Sequence, residues 1–410
     1  MDYKKIEDYI MTNATIKKRV TSKKRHLSPA GMIFLTAIGL PVAQNAAADV
    51  QLYSGTDVVP SMDLYIRLNA GVRVSGNVDR EQYHGEKGST TVVQGAGNDW
   101  GTSMLTLSGD VDLNSETSAV YKLESGFDAT TGKFNGGDFL NRRAYVGLKD
   151  KRFGTILVGR DLFINNDIYS FDPMIQQFMS TPTLVYGRNW PNAPQMIQYR
   201  SPQWGGFKFG LMATFDNGGE KASSRLSNAY GLSVQYDISN LSLYGIYDEI
   251  RDDSGHFTNL YSASRETIVG ATLDLEPVKL FAGYEWLTAP QGKKDRGGTS
   301  LQNPGARLTP YDKIYATQAD MGWVGASYEV NQHLTLRGAW YHTEINNSGG
   351  RADLLTAGTE YAFSPNFMVY ATIGGVLNKG KASFSADVYS PPPAPDEKQI
   401  SMFTGFSLQF

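Results

Sequence analysis

From Met62 to Phe410 the chain is a succession of segments about ten residues long, in which apolar side chains recur at every second position and turn residues fall between. The first, MDLYIRLNAGVRVSG, puts Leu64, Ile66, Leu68, Ala70, Val72 and Val74 on one face and Tyr65, Arg67, Asn69 and Arg73 on the other. A period of two belongs to a strand with one apolar and one wet face. Further strands are predicted near 99–109, 118–127, 140–148, 154–160, 195–201, 206–215, 228–237, 241–248, 265–274, 278–286, 319–329, 333–342, 353–363, 367–376 and 399–410, which makes sixteen.

The connections alternate in length. Long ones fall at 77–98, 128–139, 161–194, 216–227, 249–264, 287–318, 343–352 and 377–398, and a short one lies between each successive pair. Asp237 to Asn240, Glu276-Pro277 and Ser364-Pro365-Asn366 carry tight-turn chemistry. Gln291–Pro304 and Pro391–Lys398 read as polar, exposed loops. Eight long and seven short connections are what sixteen up-and-down strands require. The expected fold is all-β: a 16-stranded antiparallel transmembrane β-barrel with short periplasmic turns and long external loops. A large soluble sandwich or propeller is the rival, but the chain stops on Phe410 in a segment whose Phe406, Leu408 and Phe410 share one face.

Residues 1–48 read as a signal peptide preceding a barrel domain at 49–410. Lys17, Lys18, Arg19, Lys23, Lys24 and Arg25 precede an apolar run from Ala30 to Leu40, and Ala46-Ala47-Ala48 offers a cleavage site. That run is well short of the roughly twenty residues a spanning helix needs. Those 48 residues hold eight Lys/Arg and three Asp/Glu, so the remainder has 30 basic and 38 acidic residues, a net charge of −8. Such acidity argues against nucleic acid as a partner. With no cysteine, disulfides, thiolate metal sites and a Cys nucleophile are unavailable. No G-x-S-x-G, P-loop or H-E-x-x-H occurs and the histidines lack metal-ligand spacing, so neither an enzyme, a cofactor nor a metal is expected.

The stretch Asn141 to Arg200 departs most from the regular pattern. Two strands meet at Lys149-Asp150-Lys151-Arg152, and the connection 161–194 that follows is too long for an ordinary loop. It holds Phe171, Ile175, Phe178, Met179, Leu184, Tyr186 and Trp190, too much apolar surface to stand in water, and is expected to fold back inside the barrel and narrow it.

At this point the chain resembles the general, trimeric porins of Gram-negative outer membranes, through MDLYIRLNAG, SAVYKLESGFDATTGKF, NRRAYVGLKDKRFGTILVGRD, QYRSPQWGGFKFG, VKLFAGYEW and the terminal SLQF. The resemblance implies a water-filled channel for small hydrophilic solutes and ions, with a substrate-selective channel for a sugar or an anion as the alternative. It implies a homotrimer set among outer-membrane lipid and lipopolysaccharide, and Phe410 as the membrane-assembly signal. It makes 161–194 the third external loop, with Asp172 and Asp167 on the acidic side of a constriction and Arg142, Arg188 and Arg67 on the basic side. Asp161 at the root of the loop, with Arg73 and Arg200 on the flanking wall, complete the candidate set. Where these porins usually have an arginine in the DWGTSMLTLSGD segment, this chain has Met104.

Plainer readings stand beside these. Asp172 precedes Pro173 and suits a local turn. Arg142 and Arg143 must face opposite sides of a regular strand, which leaves open which of them lines the pore. Arg188 and Arg200 are also placed to anchor the loop to the wall. Tyr65, Tyr121, Tyr145, Trp286, Trp323, Trp340, Tyr361 and Phe410 read as an interfacial aromatic girdle, and Asp248 to Asp253 as a solvated loop.

Overall fold

The computed structural model describes residues 50–54, 60–215, 229–292 and 316–410. Residues 1–48, expected to be a signal peptide, the whole of the connection 216–227 and the loop from residue 293 to 315, which takes in most of Gln291–Pro304, lie outside the described residues.

The strands are β1 (Val50–Tyr53), β2 (Met62–Asp79), β3 (Ser89–Ala96), β4 (Ser103–Asp112), β5 (Thr117–Asp128), β6 (Lys133–Phe134), β7 (Arg143–Asp150), β8 (Gly154–Leu162), β9 (Asn192–Arg200) and β10 (Phe207–Thr214). They continue as β11 (Tyr230–Ile238), β12 (Leu241–Glu249), β13 (Arg265–Asp274), β14 (Val278–Thr288), β15 (Gln318–Asn331), β16 (Leu334–Ile345), β17 (Gly350–Ser364), β18 (Phe367–Lys379) and β19 (Lys398–Gln409). All pair antiparallel in one sheet, and β19 returns to β2 with Gly405 opposite Gly71. The short β1 and β6 add to β2 and β5 outside this ring. β3 and β4 pair with the far and near halves of β2 and together make one wall strand. The wall is thus a closed 16-stranded antiparallel barrel.

That composite strand corrects the expected connection 77–98. Only residues 80–88 leave the sheet there, including a short helix Arg80–His84, while β3 continues the wall. The break falls instead at residues 97–102, between β3 and β4. The loop Pro391–Lys398 is also not simply exposed. Pro392 and Pro393 are buried, and the Asp79 N–H donates to the Pro392 carbonyl at 3.0 Å.

Alternation sorts the wall into two environments. Leu68, Val72, Val146, Ile156, Val158, Val269, Val324, Ile373 and Phe406 point outward and are well exposed, as an apolar band facing lipid must be. Inward positions on β11 to β18 carry large buried side chains and several glycines, and the long loop 163–191 packs against them. It begins with a 3-10 turn, Ile164–Ser170, and contains a single helical turn, Thr181–Leu184.

Ile168, Phe171, Met174, Leu184, Val185 and Tyr186 are buried in a cluster with Ile246, Trp323, Tyr341 and Leu354 of the wall. Phe171 stacks between Tyr244 and Trp323 at centroid distances of 4.7 and 5.9 Å, and the Trp323 indole N–H donates to the Phe171 carbonyl at 3.1 Å. Each apolar side chain so removed from water contributes roughly 1.5–3 kcal/mol. The loop can come this close because the wall lacks side chains where it arrives. A Cβ on Gly270 would meet the Phe171 ring at 2.1 Å, and one on Gly325 would meet Pro173 at 2.5 Å.

Gly270→Val should therefore push Phe171 off its seat at a cost of about 1–3 kcal/mol and expose residues 163–191 to protease. Gly76→Ala, whose Cβ meets nothing nearer than 3.6 Å, should leave cleavage unchanged. Limited proteolysis of the folded protein is the measurement, and wild-type cleavage of the Gly270→Val protein would show that the socket is unimportant.

Candidate functional site

Across the barrel from the packed loop, the inner faces of β2, β5, β7 and β9 carry a run of cations. Arg67 on β2 donates from Nε to the Thr102 carbonyl at 2.8 Å, and its guanidinium lies 5.8 Å from the Trp100 ring centre. Arg142 reaches the Thr102 hydroxyl at 3.4 Å, so both arginines are held by the same wall break. Glu124 on β5 gathers the next group. One carboxylate oxygen accepts from Arg142 at 2.7 Å and from Arg143 at 2.5 Å, and Lys122 lies 3.6 Å from the other. Arg143 also donates to Asp161 at 2.9 Å. Farther along, Arg200 on β9 makes a two-pronged pair with Asp167 of the loop.

Alternation does not separate Arg142 from Arg143, because β7 begins only at Arg143. Asn141 bridges the Gly126 and Asn135 carbonyls at 2.7 Å each and pins the chain before the strand starts, so Arg142 turns inward beside its neighbour. The choice between the two thus falls away: both reach Glu124. Depth then decides the electrostatics. The Glu124 side chain is 1% exposed, whereas those of Arg142, Arg143 and Lys122 are 20%, 24% and 30% exposed. Arg67, Lys122, Arg142, Arg143 and Arg200 face Glu124, Asp161 and Asp167, a surplus of two positive charges at the aqueous surface. Met104, opposite Arg67 in the β2–β4 register, adds none.

The remaining candidates lie elsewhere. Asp172, expected on the acidic side of the constriction, is fully buried and away from water. It accepts from the Tyr341 hydroxyl at 2.6 Å, from Thr181 at 3.1 Å and from the backbone N–H of Gln176 at 2.8 Å and Met174 at 3.2 Å. Burial raises its pKa, and the hydrogen bond from Tyr341 opposes that rise. These bonds hold a turn in which Ile175 and Gln176 both have φ near +50°, a conformation that costs a β-branched residue dearly. The local-turn reading of Asp172-Pro173 is the one the geometry matches. Asp161 is 9% exposed and Asp167 is partly open.

Arg188 is buried in the loop and pairs with Asp248 of β12 at 2.6 Å and Glu266 of β13 at 3.3 Å, the geometry of an anchor rather than of a pore wall. Arg73 is likewise buried, held by Asp99 at 2.9 Å and Asp387 at 3.2 Å, and it fastens the wall break to the last long connection. Phe410 exchanges backbone hydrogen bonds with Ile66 at 2.7 and 3.0 Å, so the chain end helps to seal the ring.

Two broader expectations are also revised. Trp323, Tyr65 and Tyr145 belong to inward positions, so the outward aromatic band comprises Trp286, Trp340, Tyr361 and Phe410 together with residues such as Tyr230, Tyr247 and Tyr284. The acidic run at Asp248 is no solvated loop at its start, since Asp248 and Glu249 are buried and paired. Sequence reasoning missed Glu124, although it sits on the wet face of SAVYKLESGFD. It also missed Glu360, which accepts from the Trp100 indole at 2.9 Å, Arg337 at 3.0 Å and Gln177 at 3.1 Å. No local signal marks Glu360, because its partners are distant in the chain.

Comparison with known proteins agrees with this architecture. An outer membrane porin of Bordetella pertussis is 25% identical over 354 residues, covering 76% of this chain and 87% of that protein. Among solved structures, an anion-selective porin from Comamonas acidovorans superposes with a TM-score of 0.68 at 20% identity, covering 86% of this chain and all of that one. The trimer form of OmpT from Vibrio cholerae does so with a TM-score of 0.60 at 14% identity, covering 86% and 99%. A family model described as Gram-negative porin matches residues 35–381. With a closed barrel around a charged interior, the chain belongs to the Gram-negative porin family and is an outer-membrane channel for passive diffusion.

Proposed function

We propose that the channel favours small hydrophilic anions, and that its selectivity is set by Arg67, Arg142, Arg143, Lys122 and Arg200 on the inner wall. The observation that carries this reading is the depth difference around Glu124: the carboxylate is buried while the cations it organises reach water. Charged rows at a constriction are a recognised basis of ion selectivity. At physiological salt the screening length is about 8 Å, so a surplus of two charges is only partly screened across a narrow passage. The solved porin of Comamonas acidovorans, which is described as anion-selective, agrees in sign.

Loop 163–191 narrows the passage by lining the opposite wall, with Asp167 contributing its partly open carboxylate. The acidic side is correspondingly weak, because Asp172 is spent on its own turn. The trimer form of OmpT supports a homotrimer; on this reading it sits among outer-membrane lipid and lipopolysaccharide, and Phe410 serves as the assembly signal. Residues 1–48, read as a cleaved signal peptide, would deliver the domain 49–410 to that membrane.

Three outcomes follow in planar bilayers. Wild-type protein should give large ohmic steps with a reversal potential on the anion side; a small conductance blocked by one solute would replace this reading with a substrate-selective channel. Substituting Arg142→Gln together with Arg143→Gln should move the reversal potential toward cations, and an unmoved potential removes both residues from the selectivity site. Asp172→Asn should leave the sign of selectivity in place but raise current noise, since an unsatisfied buried N–H costs about 1–3 kcal/mol. A large shift in selectivity in that variant would put Asp172 back in the pore.

A further inference from the structure

The last long connection, residues 380–397 between β18 and β19, does not stand clear of the barrel. Ala382, Phe384, Ala386 and Asp387 are fully buried, and the Phe384 ring stacks on Tyr186 of the loop 163–191 at 4.7 Å. The Val388 N–H donates to the Phe178 carbonyl at 3.0 Å, and the Phe178 N–H donates to the Asp99 carbonyl of the wall break at 2.9 Å. Two inward-folded connections and the wall break therefore meet at Phe178, a residue that charge selection leaves unused.

What meets there is a row of rings. Phe178 lies 5.4 Å from Trp190 and 4.7 Å from Tyr389, tilted by 48° and 54°. Phe178 and Trp190 are partly open, and Tyr389 is 41% exposed. Phe178 and Trp100 pack on the same buried group, which includes Met179, Tyr370 and Phe403, and the Arg67 guanidinium lies 5.8 Å from the Trp100 ring centre. The row thus ends on a cation. Arg67 has no carboxylate partner among the described residues; its Nε is bound to the Thr102 carbonyl, and Arg142 beside it is paired with Glu124. The acids around the row are all engaged. Glu360 takes Trp100, Arg337 and Gln177, and Asp128 accepts from the Thr130 N–H and hydroxyl at 2.7 Å each. Asp99 and Asp387 share Arg73, which leaves one negative charge buried at the Tyr389 end.

We propose that this row is a transit site for arene carboxylates, with the solute's ring on Phe178 and Tyr389 and its carboxylate toward Arg67. Tilted rings 4.7–5.4 Å apart offer edges and faces together, the arrangement another aromatic ring completes. A sugar would need partners for its hydroxyls, and the polar side chains here are committed: Gln176 to Trp190 and Asn166, Gln177 to Glu360 and Thr372. Charge sets the direction. The buried acids at the Tyr389 end repel a carboxylate and the unpaired guanidinium of Arg67 attracts it. Backbone bonds on both sides of Phe178 hold the rings in place beforehand, so little freedom is lost on binding.

The test is single-channel recording of the purified protein in potassium chloride, with benzoate, cyclohexanecarboxylate, acetate or maltose added. Interruptions are read as resolved closures or as excess current noise. Benzoate should interrupt the current for longer than acetate, and for longer than cyclohexanecarboxylate, which matches it in charge and bulk but has no π face. Tyr389→Ala should shorten the benzoate interruptions roughly two- to tenfold, the worth of one aromatic contact. Tyr389→Phe should preserve them, and both variants should leave the reversal potential in plain potassium chloride unmoved. Should Tyr389→Ala fail to insert, the three carboxylates on wild-type protein decide the matter. Equal interruption by all three overturns the proposal, as does unchanged benzoate residence in a folded Tyr389→Ala protein; interruption by maltose and not by benzoate overturns it in favour of a sugar site. The proposal rests on the anion-favouring reading of the channel. A reversal potential on the cation side overturns that reading, whereas an anion-side potential without preference for benzoate overturns this proposal alone.

Discussion

In hydrocarbon no water is available to satisfy a backbone N–H or C=O, so every strand edge must be paired. The rest of this structure depends on that constraint. Closure of β19 onto β2, with the Phe410 backbone bonded to Ile66, removes the last free edge and ties residues at the far ends of the domain into one ring. Once the ring is closed, alternation acquires a fixed meaning: each residue faces either lipid or the interior. The wall break at residues 97–102 is tolerable because Arg67 and Arg142 reach the Thr102 carbonyl and hydroxyl, and the Asn98 side-chain oxygen accepts from the Ser103 backbone N–H.

The interior is divided by the same economy of space. Wall strands β11 to β18 present glycines and apolar side chains, so the loop 163–191 seats against them and is held by Arg188, Asp172 and Phe171. Strands β2 to β9 present arginines and a lysine organised by one buried glutamate. The aqueous passage is left between a wall of cations and a loop whose principal acid is buried. A charge placed on a pore-lining segment therefore acts on solutes only if its own hydrogen-bonding partners leave it exposed, and Asp172 and Arg188 fail that condition while Arg142 and Arg143 meet it.

Much of the fold was legible because period-two alternation and connection length are local properties. The strand number, the turn positions at Asn240, Pro277 and Pro365, and the unusual character of the third long connection all follow from counting along the chain. The site was legible only in part. Arg67 lay on the wet face of its strand from the outset, but Arg142 could not be told from Arg143, since the answer depends on where the strand begins, and that is fixed by Asn141 bonding across to Gly126 and Asn135. The glycines at 270 and 325 looked like ordinary strand glycines until Phe171 and Pro173 were seen filling the space above them.

By itself, then, the sequence determined a sixteen-stranded barrel, its two faces and the presence of an apolar loop needing shelter, because a repeating pattern of side chains against lipid and water admits few other solutions. The tertiary structure alone decided which charges meet water. That outcome turns on contacts between residues far apart in the chain, such as Asp172 with Tyr341, Arg188 with Asp248, and Glu360 with Trp100. The burial those contacts impose outweighs the chemical identity of any one side chain.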